Sequence, residues 1–241
     1  MRRQSNRAQQ MQEIMLLLIL IGLLLAPAAP CSAQGFSFRP VLIPSSEMPT
    51  IAIRVLFETG SGDDPNGREG LCSVAALTMA GGGTSDLSHW DVVNALYPYA
   101  AQIHVQVDKD YTVFTATFHR EVLESVYPVF RDLLTRPRWD PDDFQREWND
   151  AVNFINRELV GENDEELGKA ALEKFIYGAG PYGHPIRGTT TGLDSITLAD
   201  AQKFALEHFV RARMRVGIAG AYPNTFPGRV MTDLNLLPEG T

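Results

Sequence analysis

The sequence predicts an α+β fold in which an antiparallel or mixed sheet is covered by helices. Three observations predict it. Hydrophobic residues recur with period two in some segments and near 3.6 in others, in the order β-β-α-α-β-β-α-α-α-α-β. Two strand segments, 101–107 and 111–118, flank Asp108-Lys109-Asp110, the spacing of a hairpin and so of antiparallel neighbours. A composition of 44% hydrophobic and 21% charged residues is that of an ordinary globular chain, which excludes collagen-like and wholly disordered readings.

Each element has its own signal. Pro40 to Pro44 reads as a short strand, and Thr50 to Glu58 as a longer one with Ile51, Ile53, Val55 and Phe57 on one face. Residues 60–67 are loop chemistry throughout. Leu71 to Ala80 is apolar over a helical length and stops at Gly81-Gly82-Gly83; Ser85 or Ser88 can cap the next helix, through about Leu96. After the hairpin the period lengthens. Val122, Val126, Val129, Phe130, Leu133 and Leu134 recur at helical spacing and end near Pro137. Asp140-Pro141 opens a long helix with the stripe Phe144, Trp148, Ala151, Ile155 and Leu159. Another helix spans about Asp164 to Tyr177, before the loop Gly178–Pro185. Thr197 with Asp200 forms a capping-box-like start for the next, Met214–Gly220 is a final strand, and 223–241 is turn-rich with about two helical turns.

The first 33 residues are expected to be absent from the mature fold. Arg2, Arg3 and Arg7 precede an apolar run, Ile14 to Ala26, that only Gly22 interrupts, and small residues follow to Ala33. That is the layout of a secretory signal peptide cleaved after Ala33, and the run is short of the ~20 residues a spanning helix needs. An exported chain, periplasmic or extracellular, is therefore expected. Membrane attachment would come only through an uncleaved signal or a lipid on Cys31, which Pro30 directly before it disfavours. Removing residues 1–33 takes away three Arg and one Glu, moving the net charge from −8 to −10 and leaving Cys72 as the one cysteine. No intramolecular disulfide can form, and a pI near 5.1 argues against a nucleic-acid partner.

Several chemistry-like patterns are weak. Gly178-Ala179-Gly180-Pro181-Tyr182-Gly183 matches GxGxxG but follows a helix, whereas a dinucleotide site needs a strand before it and a helix after. The histidines at 89, 104, 119, 184 and 208 include no i,i+4 pair; His104 and His119, on opposite strands of one hairpin, could approach each other. Cys72 on an apolar helix reads as a buried free thiol. The acidic run Glu162, Asp164, Glu165 and Glu166 reads as a solvated helix start.

A set of landmarks carries more. Gly60-Ser61 precedes Asp64-Pro65, and Gly70-Leu71 opens a helix ending at Gly83-Thr84. Pro141-x-x-Phe144-x-x-Glu147 follows, then Tyr182-Gly183-His184-Pro185 with Gly188-Thr189, and Ile196-Thr197 leading to His208-Phe209 and Val216–Gly220. In order and spacing over Pro40 to Gly220 these resemble the N-terminal half of the M16 peptidases, the insulinase, pitrilysin and mitochondrial processing peptidase family. The resemblance implies a LuxS/MPP-like metallohydrolase half over residues 36–222, with 223–241 a C-terminal tail beginning a linker to a second half.

Active members of that family carry HxxEH on the helix that starts with Gly-Leu; two His bind zinc and the Glu polarises the attacking water. Here those positions are Ser73, Ala76 and Leu77. Glu147 matches an acidic residue retained ahead of the third ligand, but the ligand position itself, seven residues on, is Phe154. Sliding the motif by one residue recovers neither His nor Glu, and Glu158 lies eleven residues from Glu147, roughly 16 Å along a helix. The resemblance therefore points to the degenerate, non-catalytic subunits, with no cofactor expected. It implies a peptide-binding or structural partner of an HxxEH-containing M16 subunit or of a second M16 half, with unfolded peptides as ligands. One alternative is an active M16-type zinc metalloendopeptidase using unaligned ligands such as His104, His119 or Glu69; another is a stand-alone binding or scaffold module.

Overall fold

A computed structural model describes residues 39–240. The expected signal segment, with Cys31, lies outside the described residues.

Five strands form one sheet: β1 (Val41–Pro44), β2 (Thr50–Phe57), β3 (Gln102–Val107), β4 (Thr112–His119) and β5 (Met214–Gly220), in the order β1-β5-β2-β4-β3. Alternation decides its centre. Ile51, Ile53, Val55 and Phe57 of β2 are fully buried, so one face of β2 turns inward. Ile53 is opposite Ala116 on one side and Ile218 on the other, which continues the apolar layer across three strands. The hairpin of β3 and β4 forms as expected, with Val107 opposite Thr112. The sheet is mixed, because β1 runs parallel to β5, with Val41 opposite Gly217. β1 and β2 are consecutive in the chain yet not neighbours: β5 inserts between them.

Eight helices accompany the sheet among the described residues: α1 (Leu71–Gly81), α2 (His89–Leu96), α3 (Leu123–Thr135), α4 (Pro141–Asn153), α5 (Asp164–Tyr177), α6 (Thr190–Asp194), α7 (Leu198–His208) and α8 (Phe226–Leu234). Local chemistry starts several of them. Ser88 and Asp91 close a capping box on α2, as Thr197 and Asp200 do on α7, and Asp140 with Pro141 begins α4. α1 is buried on nearly every side, packed against β3, α4 and α7.

The long helix expected through Leu159 changes character. α4 ends at Asn153, and Phe154–Glu162 continues as a π-helical stretch. Ala151, Ile155 and Leu159 are spaced by four twice running, more than the ~3.6 residues of an α-turn, and the wider π-turns keep all three buried. The short α6, capped by Thr189, has no sequence-level counterpart above. Residues 226–237, set apart by sequence as tail, contribute Phe226, Val230, Leu234 and Leu237 to the same core. No helix of the described residues is long and apolar enough to cross a membrane.

Candidate functional site

Helical spacing places Ser73, Ala76 and Leu77 on one face of α1, as an HxxEH motif would require. Ser73 and Ala76 are buried, Leu77 half-buried. α4 runs antiparallel beside this helix. A side chain at Gly82 would meet Asp143, and one at Gly81 would meet Glu147 Oε1 at 2.8 Å. Phe154, seven residues beyond Glu147, opens the π-helical stretch that continues α4. Its ring packs on the core and is covered by the Arg187 guanidinium, 4.6 Å from the centroid.

Glu147 is already engaged. Arg146 Nη2 lies 3.1 Å from its carboxylate, while Arg146 Nη1 binds Asp143 at 2.7 Å. Burial pushes Glu147 above the usual carboxylate range, with Arg146 working against that shift. These residues do not fit a zinc ion. Alanine, leucine and phenylalanine offer no lone pair, a serine hydroxyl is a poor zinc ligand, and the one carboxylate is paired with a guanidinium. Among the described residues no group of three or more His, Cys, Asp and Glu is placed to hold a metal.

The residues considered as substitute ligands do not converge. His104 is exposed on β3 opposite Thr115, and His119 lies four residues further along β4, roughly 13 Å away, so the two imidazoles do not meet. Glu69 sits elsewhere, in the loop before α1. Cys72 is fully buried with its thiol 3.5 Å from Thr112 Oγ1, and burial pushes its pKa up. The GxGxxG segment forms turns with no helix opening on it, and the acidic run is the exposed start of α5, where Asn163 caps Glu166.

Several of the family-like landmarks, Asp64, Gly70, His184 and Gly188-Thr189, gather at the N-terminal end of α1. Asp64 accepts hydrogen bonds from the backbone N–H groups of Gly70 and Cys72, both at 2.7 Å, fixing the loop to the first turn of the helix. Burial nevertheless raises its carboxyl to a pKa of about 7. Gly188, at φ 94°, packs on the Glu69 carbonyl so closely that a Cβ would collide. Lys109 donates to the His184 carbonyl and lies 3.8 Å from Glu173.

A cleft of about 460 Å³ opens between these loops, lined by Asp64, Glu69, Lys174, His184, Thr189 and Thr191 among others. His184 donates through Nδ1 to the Pro185 carbonyl at 3.0 Å, and burial holds its imidazole below its ordinary pKa. Burial pushes Glu69 up, but hydrogen bonds from Gly67 and Thr189 and the nearby His184 bring it below the usual range. No single residue pattern in the sequence marks this cleft. Its one signal is the pair of landmarks around Gly70 and Gly188, which sequence order alone does not bring together.

A family profile described as Insulinase (Peptidase family M16) matches residues 40–190. No curated protein matches the chain by sequence. Solved structures share the fold. An M16 inactive domain from Pseudomonas fluorescens is 20% identical, with a TM-score of 0.74, over 83% of this chain and 48% of that one. A protease from Helicobacter pylori is 15% identical, at 0.70, over 84% and 47%. The periplasmic protease PqqL from Escherichia coli is 12% identical, at 0.69, over 83% and 23%. The chain thus spans under half the length of each of these structures.

Proposed function

The chain belongs to the insulinase family of peptidases, M16, and from that premise we propose that it is an exported, non-catalytic member that binds peptide beside an active M16 subunit or half. One observation carries the reading. The α1 face that would bear two imidazoles and a general base bears Ser73, Ala76 and Leu77, and Phe154 stands at the third-ligand position. Hydrolysis through a zinc-bound water has nothing to hold the ion or take the proton. What such a half retains is its shape: a sheet backed by helices, and a cleft at the helix start.

Metal content tests the catalytic part. Mature protein exposed to zinc and then desalted should retain well below one ion per chain and cleave no unstructured peptide. Stoichiometric, site-bound zinc would overturn it. Co-expression with an HxxEH-bearing M16 chain tests the rest: the two should co-elute, and a clean monomer would remove the partner from the proposal.

A further inference from the structure

A second cleft, of about 380 Å³, lies between the β3–β4 turn, the π-helical stretch, α5 and residues 185–187. Its walls combine apolar side chains, Val107, Phe154, Leu159 and Ile186, with three cations. Two of those cations are committed. Lys169 pairs with Glu165 at 2.8 Å and Glu166 at 2.7 Å, and Lys109 with Glu173 and the His184 carbonyl. Arg187 differs: no carboxylate of the described residues pairs with it, and its contact is the stack on Phe154. A guanidinium resting over a ring face keeps N–H donors free to bind an anion.

We infer that Arg187, laid on Phe154, is a carboxylate-binding site that takes the C-terminal carboxylate of a peptide ending in an apolar residue. A guanidinium fork matches a carboxylate through two parallel hydrogen bonds, and stacking reduces the rotamer freedom lost on binding. The apolar walls beside the fork select the rest of the group. A C-terminal residue presents carboxylate and side chain on one Cα, so both can be seated together; an acidic side chain brings the charge without an apolar companion. Three carboxylates also line the cleft: Glu166 and Glu173 are paired with Lys169 and Lys109, and Asp108 accepts from the Lys109 backbone N–H at 2.7 Å, so the discrimination rests on the fork rather than on a long-range field. The site lies where Phe154 replaces the third ligand, and a fixed organic cation stands over that position. The inference rests on the peptide-binding reading above and names the end of the peptide held.

The test uses the mature chain and three capped tripeptides followed by NMR titration: N-acetyl-Ala-Ala-Leu with a free C-terminus, its C-terminal amide, and N-acetyl-Ala-Ala-Glu amide. The free acid should bind about tenfold more tightly than either amide, the size of one charge-assisted pair. Arg187→Gln should erase the difference, and Arg187→Lys should keep part of it, with unchanged circular dichroism in both. Equal binding of acid and amide, no binding of the acid, or an acid preference that survives Arg187→Gln overturns the inference. Equal gain from the glutamate side chain overturns its assignment to the C-terminus. A long unstructured peptide blocked at both ends is titrated in parallel. If it binds while the acid preference is missing, this inference falls and the peptide-binding reading stands.

Discussion

Arg146 Nη2 donates to the Gly81 carbonyl at 2.8 Å, so a guanidinium from α4 closes the C-terminal end of α1. His89 Nδ1 reaches the same oxygen at 2.6 Å. A helix end leaves carbonyls without intrahelical partners, and cationic donors are well suited to them. The same guanidinium holds Asp143 and Glu147, whose side chains are 8% and 12% exposed. Three structural tasks thus fall on one side chain, and Glu147 is drawn into a packing role.

Arg146→Met keeps the aliphatic volume and removes the charge, stranding two buried carboxylates. The expected loss is about 2–4 kcal/mol in urea unfolding, because breaking a buried pair leaves an uncompensated charge. Adding Asp143→Asn should recover part of that loss. A single variant as stable as the parent would show that the network contributes nothing.

Asp64 gives a pH dependence of definite sign. Its folded pKa, about 7, lies above the ordinary aspartate value near 4, so the folded state favours the protonated form. The resulting stability is complete below about pH 4 and is lost as pH rises through 7. His184 and His208, held below their ordinary values by burial, act in the opposite sense below about pH 6.5. The contribution is therefore read by difference. Between pH 5 and pH 8 the parent should lose about 2–3 kcal/mol relative to Asp64→Asn. Parallel stability curves for the two proteins would refute the assignment.

Buried motif positions resist restoration. Ala76 is fully buried in the main core, so a glutamate there must carry its carboxylate into packed side chains. Ala76→Glu should cost about 3 kcal/mol or more in thermal or urea unfolding, from overpacking and an unpaired polar group. Zinc should not restore the loss, even with His at 73 and 77 added. A zinc-dependent rise in melting temperature for that triple variant would show that the site is merely unoccupied by the right residues and not closed by the core.

The elements that the sequence shows clearly are those whose signal is local. β2 advertises its face through Ile51, Ile53, Val55 and Phe57, and α7 its start through Thr197 and Asp200. The pairing of β1 with β5 is set some 170 residues away in the chain, and nothing in Val41–Pro44 encodes it. Residue types at Ser73, Ala76 and Leu77 are legible without coordinates, but their burial is not. The stack of Arg187 on Phe154 joins a loop to a π-turn, and only folding reveals it. For His104 and His119 adjacent strands leave proximity open, and only the register, which the sequence does not show, separates them.

Gly188 carries a different constraint. At φ 94° it sits in the left-handed region, and a Cβ would collide with the Glu69 carbonyl. The two loops that form the larger cleft therefore touch backbone to backbone. Gly188→Ala should destabilise by about 2 kcal/mol or more, from backbone strain and the forced separation of the loops. Amide exchange at Gly70 and Cys72, which Asp64 binds, should accelerate in the same variant. A neutral substitution with unchanged exchange would mean that the loops have slack.

α5 is the helix whose exposure is hardest to reconcile with the isolated fold. None of its residues is buried, while Leu172, Phe175 and Ile176 are 57%, 87% and 60% exposed at i, i+3 and i+4. Its ends are well supplied, with acidic residues in the first turn and Lys174 in the last, so the helix is held more by its own chemistry than by packing. Phe175→Ser should then leave unfolding free energy within about 0.5 kcal/mol, because almost no burial is lost. Amide exchange along 164–177 in the isolated protein should be faster than along α1, which is buried on nearly every side. A loss of 2 kcal/mol or more on Phe175→Ser, roughly the burial energy of a phenylalanine, would show that the ring is packed in solution and that this face is already covered.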